Sequence, residues 1–262
     1  MEQEGIRINK YLSQAGVLSR RKADEAILNA EVEINSVTAI AGDRVKEGDT
    51  VTLRGELVTV SDTPKVILAY NKPLGLVCTS KEADKDSIFH KIDYPEILYY
   101  VGRLDKNSQG LMLLTNDGEL ANRIQKARNG HEKEYVVRVD KPLTAKFVKG
   151  MMNGVPLEID LKSDARSGSK TNITDNRTDS KIRVTKSCQV EQTGKNTFRI
   201  IITEGINRQI RRMCEYFGYR VIFLKRVRVM NIGLGNLKVG EYRRLTKNEE
   251  TILRNMCMKD QD

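Results

Sequence analysis

The sequence predicts an α+β protein built from one small and one large unit. The chain has 262 residues, which is enough to bury a sizeable core and favours more than one unit. Residues 1–53 combine two helical stripes with short strands, whereas residues 66–262 alternate apolar strands, such as 66–70 and 111–114, with helical segments. Residues 54–65 lose this periodicity and end in Thr-Pro-Lys, which predicts a linker between the units.

The charge balance favours a polyanionic partner. Forty-five Lys and Arg residues stand against 35 Asp and Glu residues, so the formal net charge is +10. A basic, solvated surface with no role in nucleic-acid binding is the alternative, because net charge specifies neither fold nor chemistry.

The cysteines, histidines and apolar segments argue against several classes of protein. Four cysteines, at positions 78, 188, 214 and 257, and two histidines, at 90 and 131, lack the spacing of a zinc site. We therefore expect reduced thiols, no metal and no cofactor. The chain has no leader-like apolar region and no stretch that could span a bilayer. We expect a monomer in the cytoplasm that does not contact membranes.

The first unit carries a cluster of cations on two adjacent helices. Ile8 and Leu12 begin a helical stripe, and Ser19 is placed to cap a second helix from about Arg20 to Ala30. The cations, which have no acid between them, are Arg7, Lys10, Arg20, Arg21 and Lys22. Such a cluster suits contact with the phosphates of structured RNA. A solvated helix face is the alternative.

Residues 101–118, VGRLDKNSQGLMLLTNDG, place a carboxylate ahead of a buried strand. Gly102 permits a tight turn, and residues 111–114 predict a buried strand. Asp105 therefore lies near a buried strand, where burial of its charge is costly unless a cation lies beside it. Arg103 is two residues away and would keep the carboxylate ionised and reactive. The alternative is a surface Asp-Arg pair in a polar turn.

Two segments that follow have clear periodicity. Residues 118–127 predict a helix with Asp117 as its cap, because apolar residues recur there at helical spacing. Residues 131–139 alternate as a strand does and contain Tyr135, which is either a core residue or a residue of the site.

Residues 205–217 predict a glycine turn and then a helix with one apolar side. On that helix Arg208 and Arg212 share a face, whereas Arg211 points elsewhere, so the three arginines cannot all have one role. Between residues 205 and 228 the only acid is Glu215, which predicts a second basic region. Its cations are Arg208, Arg211, Arg212, Arg220, Lys225, Arg226 and Arg228.

One stretch does not fit the pattern of strands and helices. Residues 160–180, DLKSDARSGSKTNITDNRTDS, are polar and aperiodic. They predict a flexible insertion in the second unit, and composition does not show whether it contacts RNA.

Several of these segments resemble one family of RNA enzymes. Residues 101–118 resemble the catalytic-aspartate motif of RNA pseudouridine synthases, in the branch that modifies a single uridine of ribosomal RNA, with Met112 in the place of one Leu. Asn-Lys-Pro-Leu-Gly at 71–75, Lys-Glu-Tyr at 133–135 and Gly-Ile-Asn-Arg-Gln-Ile-Arg-Arg-Met at 205–213 resemble further motifs of this family. Their combined details are most similar to synthases of the large ribosomal subunit.

The N-terminal residues resemble a second module. Residues 7–35 contain Arg-Ile-Asn-Lys-Tyr-Leu, Ser-Arg-Arg-Lys-Ala-Asp and Val-Glu-Ile-Asn in the order typical of the S4-type RNA-binding domain at the front of this branch. Together the resemblances imply a small S4-like module and a catalytic domain with a large mixed, mainly antiparallel sheet.

The resemblance also implies roles for single residues. Asp105 would be the catalytic residue and Arg211 its ion-pair partner. Tyr135 would pack on the target base, which suits a flipped uracil, and Ile210 would line the uracil pocket. The motif that contains Lys72 would mostly support the aspartate loop.

The activity implied by the resemblance is the isomerisation of a uridine in ribosomal RNA to pseudouridine, without metal or cofactor. Arg208 and Arg212 would contact phosphates, or else be solvated helix charges. The main alternative is a non-catalytic RNA-binding or ribosome-assembly factor that keeps the S4 module. A glycosidase acting on RNA is less favoured, because no second carboxylate accompanies Asp105.

Overall fold

The chain folds into two compact units. The computed structural model describes residues 5–60, 64–79, 84–125, 130–160 and 180–258. The first unit contains the residues up to Lys65 together with Tyr94–Ile97, and the second contains the remainder. Apart from its two end residues, the predicted insertion lies outside the described residues. No helix in the described ranges has the length and apolar character needed to cross a membrane.

The described residues of the first unit form two helices and two small antiparallel sheets. Its elements are β1 (Ile6–Arg7), α1 (Ile8–Gln14), α2 (Arg20–Leu28), β2 (Val32–Ile34), β3 (Val37–Thr38), β4 (Arg44–Val45), β5 (Val51–Leu53) and β6 (Glu56–Val58). Strand β1 pairs with β4, and the other four lie in the order β3-β2-β5-β6. Ser19 caps α2 as predicted, because its Oγ accepts from the N–H of Lys22 at 3.3 Å. Ile8, Leu12 and Ile27 are buried in the core of this unit.

The first half of the predicted linker is a regular hairpin. Strand β6 pairs antiparallel with β5, so that Leu53 lies opposite Glu56. Arg54 and Gly55 form the two-residue connection with φ values of +53° and +80°, as the tightest hairpin turns require. Residues 54–58 therefore belong to the sheet of the first unit, because a strand of three residues is too short for its periodicity to be recognised.

The second unit is built on a large mixed sheet, as predicted. In the described residues its strands are β7 (Ile67–Lys72), β8 (Tyr99–Val101), β9 (Gln109–Thr115), β10 (Lys133–Val139), β11 (Pro156–Asp160), β12 (Ser180–Val184), β13 (Gln189–Gly194), β14 (Thr197–Ile202), β15 (Val221–Val229), β16 (Ile232–Gly233) and β17 (Tyr242–Arg244). The main path is β13-β14-β10-β15-β9-β7-β17, with β8 on β9 and β16 on β15. All these pairs are antiparallel except β9 with β15, which is parallel. Strands β11 and β12 form a separate hairpin.

In the described ranges of this unit, four helices and one short 3₁₀ turn accompany the sheet. They are the turn Ile88–His90 and helices α3 (Gly118–Gln125), α4 (Ala145–Met152), α5 (Gln209–Tyr216) and α6 (Lys247–Met258). Asp117 caps α3 as predicted, since its Oδ1 accepts from the N–H of Leu120 at 3.0 Å. Leu120 and Ile124 of α3 share one buried apolar cluster with Leu253 of α6 and Leu113 of β9.

Aromatic side chains make a second cluster around α4. The ring of Phe147 lies 4.3 Å from that of Tyr219, 5.5 Å from that of Phe198 and 5.7 Å from that of Phe217.

Strand β9 is buried along nearly its whole length, because it is a central strand that is covered on both faces. The sheet therefore offers a rigid base for the loop that precedes β9.

Helix α6 begins with a charged cap. Glu249 accepts from the N–H of Thr246 at 2.8 Å, and its own N–H donates to Thr246 Oγ1 at 3.2 Å, which is a reciprocal capping box. Arg243 also binds both carboxylate oxygens of Glu249, at 2.7 and 2.8 Å. These hydrogen bonds from Arg243 lower the pKa of Glu249 from 4.5 to about 2.

We predict that Glu249→Gln lowers stability at neutral pH and loses this effect in acid. Because the folded-state pKa lies below the unfolded-state value, the stabilisation is present above about pH 4.5 and is lost as the pH falls through about 2. At pH 7 we expect a loss on the order of 2 kcal/mol, or a Tm lower by about 4–8 °C. Thermal denaturation followed by circular dichroism between pH 7 and pH 2 measures this difference.

Glu241→Gln is the matched control for this prediction, because Glu241 is exposed. We expect its Tm to follow that of the wild type at every pH. A Glu249→Gln protein with wild-type Tm at pH 7 would contradict the prediction.

Candidate active site

Three side chains lie at one level of the central sheet and form the base of the site. Lys72 of β7 is opposite Gly110 of β9, Gly110 is opposite Arg226 of β15, and Arg226 is opposite Tyr135 of β10. Directly opposed residues present their side chains on the same face of a sheet. The row therefore places two cations and one tyrosine side by side, with a gap at Gly110.

Only glycine fits in that gap. Gly110 has a φ of +107°, and a Cβ atom there would lie 2.2 Å from the carbonyl oxygen of Arg226 and 2.8 Å from its nitrogen. Neither backbone can move away, because the two residues are partners in the only parallel strand pair described for the sheet. The glycine therefore allows β15 to approach β9 closely.

The loop between residues 102 and 110 carries Asp105 above this row. Gly102 turns the chain with a φ of +72°, and the carbonyl of Asp105 accepts from the N–H of Ser108 at 3.0 Å. The carbonyl of Lys106 accepts from the N–H of Gly75 at 2.9 Å. About a third of the Asp105 side chain, 32%, remains exposed, so the carboxylate is held near a buried surface but is open to a substrate.

Arg211 is the cation that the fold brings to Asp105. Its Nε lies 3.9 Å from Asp105 Oδ2, which is an ion-pair distance but too long for a hydrogen bond. The two terminal nitrogens are already used, since Nη2 donates to the carbonyl of Asn107 at 2.6 Å and Nη1 to that of Val221 at 3.2 Å. The buried Nε has no hydrogen-bond acceptor. It is therefore the donor that remains for the carboxylate.

Burial and the aspartate act in opposite directions on this arginine. Burial lowers the pKa of Arg211, whereas the charge of Asp105 raises it. A guanidinium keeps its proton in proteins even when it is buried. Arg211 therefore remains a cation beside Asp105.

A buried polar network fixes the start of α5, which carries Arg211. Glu204 is 2% exposed, and its Oε1 accepts from the N–H of Lys186 at 2.8 Å and from Gln209 Nε2 at 3.1 Å. Gln209 Oε1 in turn accepts from the N–H of Ile206 at 3.0 Å. Arg208 has a left-handed φ of +51°, so the helix starts at Gln209 and not at the glycine turn. This start sets the rotation of α5, which turns Arg211 inward.

Lys72 holds the middle of the Asp105 loop from below. Its side chain is fully buried, and its Nζ donates to the carbonyls of Pro73 at 2.9 Å, Ser108 at 2.9 Å and Asp105 at 3.3 Å. Burial lowers the pKa of Lys72, and the charge of Asp105 acts against that shift. All three protons of the ammonium group are thus directed at backbone carbonyls.

The chain matches the family model described as RNA pseudouridylate synthase over residues 66–216, a range that includes the Asp105 loop, Tyr135 and Arg211. It belongs to the RNA pseudouridine synthase family. The fold and the order of motifs in this synthase therefore agree with the resemblance of its sequence.

Individual relatives extend the similarity to nearly the whole chain. The synthase is 42% identical over 245 residues to the dual-specificity RNA pseudouridine synthase RluF of Escherichia coli K12. The aligned region covers 93% of this chain and 77% of that protein. It is 32% identical to the ribosomal large subunit pseudouridine synthase B of Pseudomonas aeruginosa, over 95% of this chain and 62% of that protein. A crystal structure of a pseudouridylate synthase matches with a TM-score of 0.63 at 28% identity, covering 95% of this chain and all of that one.

Two other residues predicted for the synthase site are buried. Tyr135 is 7% exposed and Ile210 is 4% exposed, so only a small part of either side chain is open. Lys133 lies two residues before Tyr135 on β10, and burial, together with the charge of Arg226, lowers its pKa to about 8. Arg103, by contrast, is exposed. Among the described residues no ion pair joins it to Asp105, whose neighbouring cation is Arg211 instead.

Several cations of the second basic region predicted from the sequence are buried or paired with acids. Arg226 is 1% exposed and faces the interior of the sheet. Arg228 is paired with Glu132 at 2.9 Å and with Glu134 at 2.8 Å. These partners come from β10 and the residue just before it, so a count along residues 205–228 missed them. Neither arginine is available to a nucleic acid.

The remaining predicted RNA contacts differ in exposure. Arg208 is exposed, whereas Arg212 is half-buried and donates to the carbonyls of Glu158 and Asn207. In the first unit, Lys10 is half-buried and the other predicted cations are exposed: Arg7, Arg20, Arg21 and Lys22. All four cysteines are free thiols. Within the described ranges, no three His, Cys, Asp or Glu residues form a group that could hold a metal ion.

We predict that Gly110→Ala destabilises the synthase and abolishes turnover. The added methyl group would overlap the backbone of Arg226, so β9 and β15 would have to separate, at a cost of about 1–3 kcal/mol. Thermal denaturation and an assay of pseudouridine formation would measure both effects. Gly233→Ala is the control, because Gly233 has open space around its Cβ position. Equal Tm and activity for the two variants would contradict the prediction.

Proposed function

We propose that this synthase isomerises a uridine of large-subunit ribosomal RNA to pseudouridine, with Asp105 as its catalytic residue. Membership of the family gives the reaction class, and the similarity to RluF and to the large-subunit synthase B supports the choice of RNA. The observation that carries the role of Asp105 is its position. It is the carboxylate that lies on the loop bound by Lys72 and Arg211, within 3.9 Å of the Arg211 Nε.

The reaction needs a reactive carboxylate and no redox change. The bond from uracil N1 to ribose C1′ breaks, the base turns while it stays bound, and C5 bonds to C1′. The C5 proton is then lost and N1 gains a proton, so the product is an isomer of the substrate. Asp105 can act on ribose C1′ or as a nucleophile toward the base. In either case Arg211 lies beside the carboxylate as a cation, with its Nε 3.9 Å from Asp105 Oδ2.

Two further buried side chains of the second unit suit contact with a flipped base. We propose that Tyr135 packs on the uracil and that Ile210 forms a wall of its pocket. Aromatic contacts of this kind contribute about 1–3 kcal/mol per base and replace the stacking lost when the base leaves its helix. Both side chains are nearly covered in the free protein, so only a small part of each is open to contact the base.

The first unit supplies a separate RNA contact in this proposal. Helices α1 and α2 carry Lys10, Arg20, Arg21 and Lys22, and Arg7 directly precedes α1. We propose that this S4-like unit binds RNA phosphates. Arg208 and Arg212 would extend the contact in the second unit. A ribosomal RNA substrate and free thiols both suit the cytoplasm, and we propose that the protein acts there as a monomer.

We predict that Asp105→Asn retains RNA binding and loses turnover. The amide has the shape of the carboxylate but cannot act as its anion. Tritium release from ribosomal RNA labelled at uridine C5 measures the reaction, because C5 loses its hydrogen when it bonds to C1′. Naked RNA and assembly particles should both be tested at equal occupancy of the RNA.

Asp140→Asn is the matched control, since Asp140 pairs with Arg220 and lies outside the proposed site. We expect it to release tritium as the wild type does. Release by Asp105→Asn would overturn the role of Asp105. Binding by the wild type without any release would favour the non-catalytic RNA-binding factor instead.

We predict that Arg21→Gln weakens RNA binding without changing the chemical step. A lost phosphate contact should reduce the slope of log K against log salt by about 1. Affinity for ribosomal RNA at several salt concentrations, together with a single-turnover rate at saturating protein, separates binding from chemistry. Lys46→Gln removes an exposed cation outside the cluster and should leave the slope unchanged. Equal slopes for all three proteins would argue against the first unit as a phosphate-binding surface.

A further inference from the structure

We propose that Arg226 is a positioning residue that fixes both ends of the Asp105 loop. This inference rests on the proposed role of Asp105. It gives Arg226 a role in the Asp105 loop in addition to its place in the sheet. Arg226 Nη2 donates to the carbonyl of Gly102 at 2.9 Å, and Nε donates to that of Leu111 at 2.6 Å. Gly102 directly follows β8 and Leu111 is the third residue of β9, so the two carbonyls lie on either side of the loop.

The surroundings of Arg226 make a purely structural role costly. The side chain is 1% exposed, and in the described part of the chain no carboxylate lies within ion-pair distance of it. The nearby titratable and charged groups are Lys72, Cys78 and Lys133. A buried cation without an acid is expensive to keep in a protein. An apolar residue would fill the same position in the sheet at lower cost, so the guanidinium must serve another purpose.

That purpose follows from the geometry of the guanidinium. Its planar, rigid fork can donate in two directions at once, whereas an ammonium group is a point charge on a flexible stem. Arg226 therefore holds two carbonyls that are nine residues apart in the chain at a fixed separation. Lys72 binds the middle of the loop and Arg211 binds Asn107. Without Arg226 the loop loses the contacts at its two ends, its centre is held less firmly by Lys72 and Arg211 alone, and Asp105 shifts relative to the base.

Three variants test this role. Arg226→Met removes both hydrogen bonds, and Arg226→Lys keeps the charge but cannot reach both carbonyls. Arg243→Met is the matched control, because Arg243 lies on β17 of the same sheet and donates to Glu249, not to the loop. For each protein we would measure Tm, the Kd for ribosomal RNA, the single-turnover rate of tritium release and hydrogen exchange of the loop amides.

We expect Arg226→Met to lower the single-turnover rate by about 100-fold, the size of effect that a misplacement of about 1 Å produces, while Kd changes less than about threefold. The single-turnover rate of Arg226→Lys should be about tenfold higher than that of Arg226→Met. The amides of Ser108 and Gly75, which hydrogen-bond to the loop, should exchange faster in both variants. Arg243→Met should lower Tm but leave the rate and these amides unchanged.

The proposal is overturned if Arg226→Lys keeps the wild-type rate and wild-type loop exchange. It is also overturned if Arg243→Met loses rate as much as the Arg226 variants do. If Arg226→Met does not fold, the conservative Arg226→Lys decides. If the wild type itself releases no tritium, the proposed function fails, and the exchange of the loop amides still tests whether Arg226 positions the loop.

Discussion

The site depends on hydrogen bonds from buried cations to backbone carbonyls of the Asp105 loop. Lys72, Arg211 and Arg226 bind the carbonyls of five loop or flanking residues: Gly102, Asp105, Asn107, Ser108 and Leu111. Carbonyl oxygens exist at every position, so these contacts constrain the path of the backbone and not the side chains of the loop. Within the described residues the carboxylate has one cation at ion-pair distance, Arg211, and about a third of its side chain stays exposed.

This arrangement has a cost that the remainder of the second unit offsets. Three cations are taken out of water beside one carboxylate, and each loses hydration that carbonyl dipoles replace only in part. Strand β9 is buried on both faces, and helices α3 and α6 cover it with a continuous apolar cluster. Such burial stabilises at roughly 25 cal/mol per Å² of apolar surface, so the core can support a site that is unfavourable by itself. Preorganised polar groups are typical of enzymes, because the work of orienting them is done during folding.

Local patterns in the sequence could predict features that depend on neighbouring residues, but not those that depend on residues far apart in the chain. The caps Ser19 and Asp117, and the strand after Asp105, follow from neighbours in the chain, and their predictions were confirmed. The role expected of Arg103 rested on sequence proximity, whereas Arg211, which the fold brings to the aspartate from 106 residues away, was expected there only from the family resemblance. The base of the site depends on the register of β7, β9 and β15, which no local pattern contains. The resemblance indicated that the motif of Lys72 supports the aspartate loop, but Arg226 shares its strand with Lys225 and Arg228, and nothing in the local sequence distinguishes it from them.

The parallel pairing of β9 with β15 has a consequence for when the enzyme becomes competent. Gly110 and Arg226 are 116 positions apart, so their pairing closes a long stretch of chain that contains β10, β14 and α5. Contacts of such high sequence separation form late and slowly in folding. A nascent chain can therefore hold its small N-terminal unit complete while the aspartate is still unpositioned. Activity should appear in one step with the closing of the sheet, after the unit proposed to bind RNA has already folded.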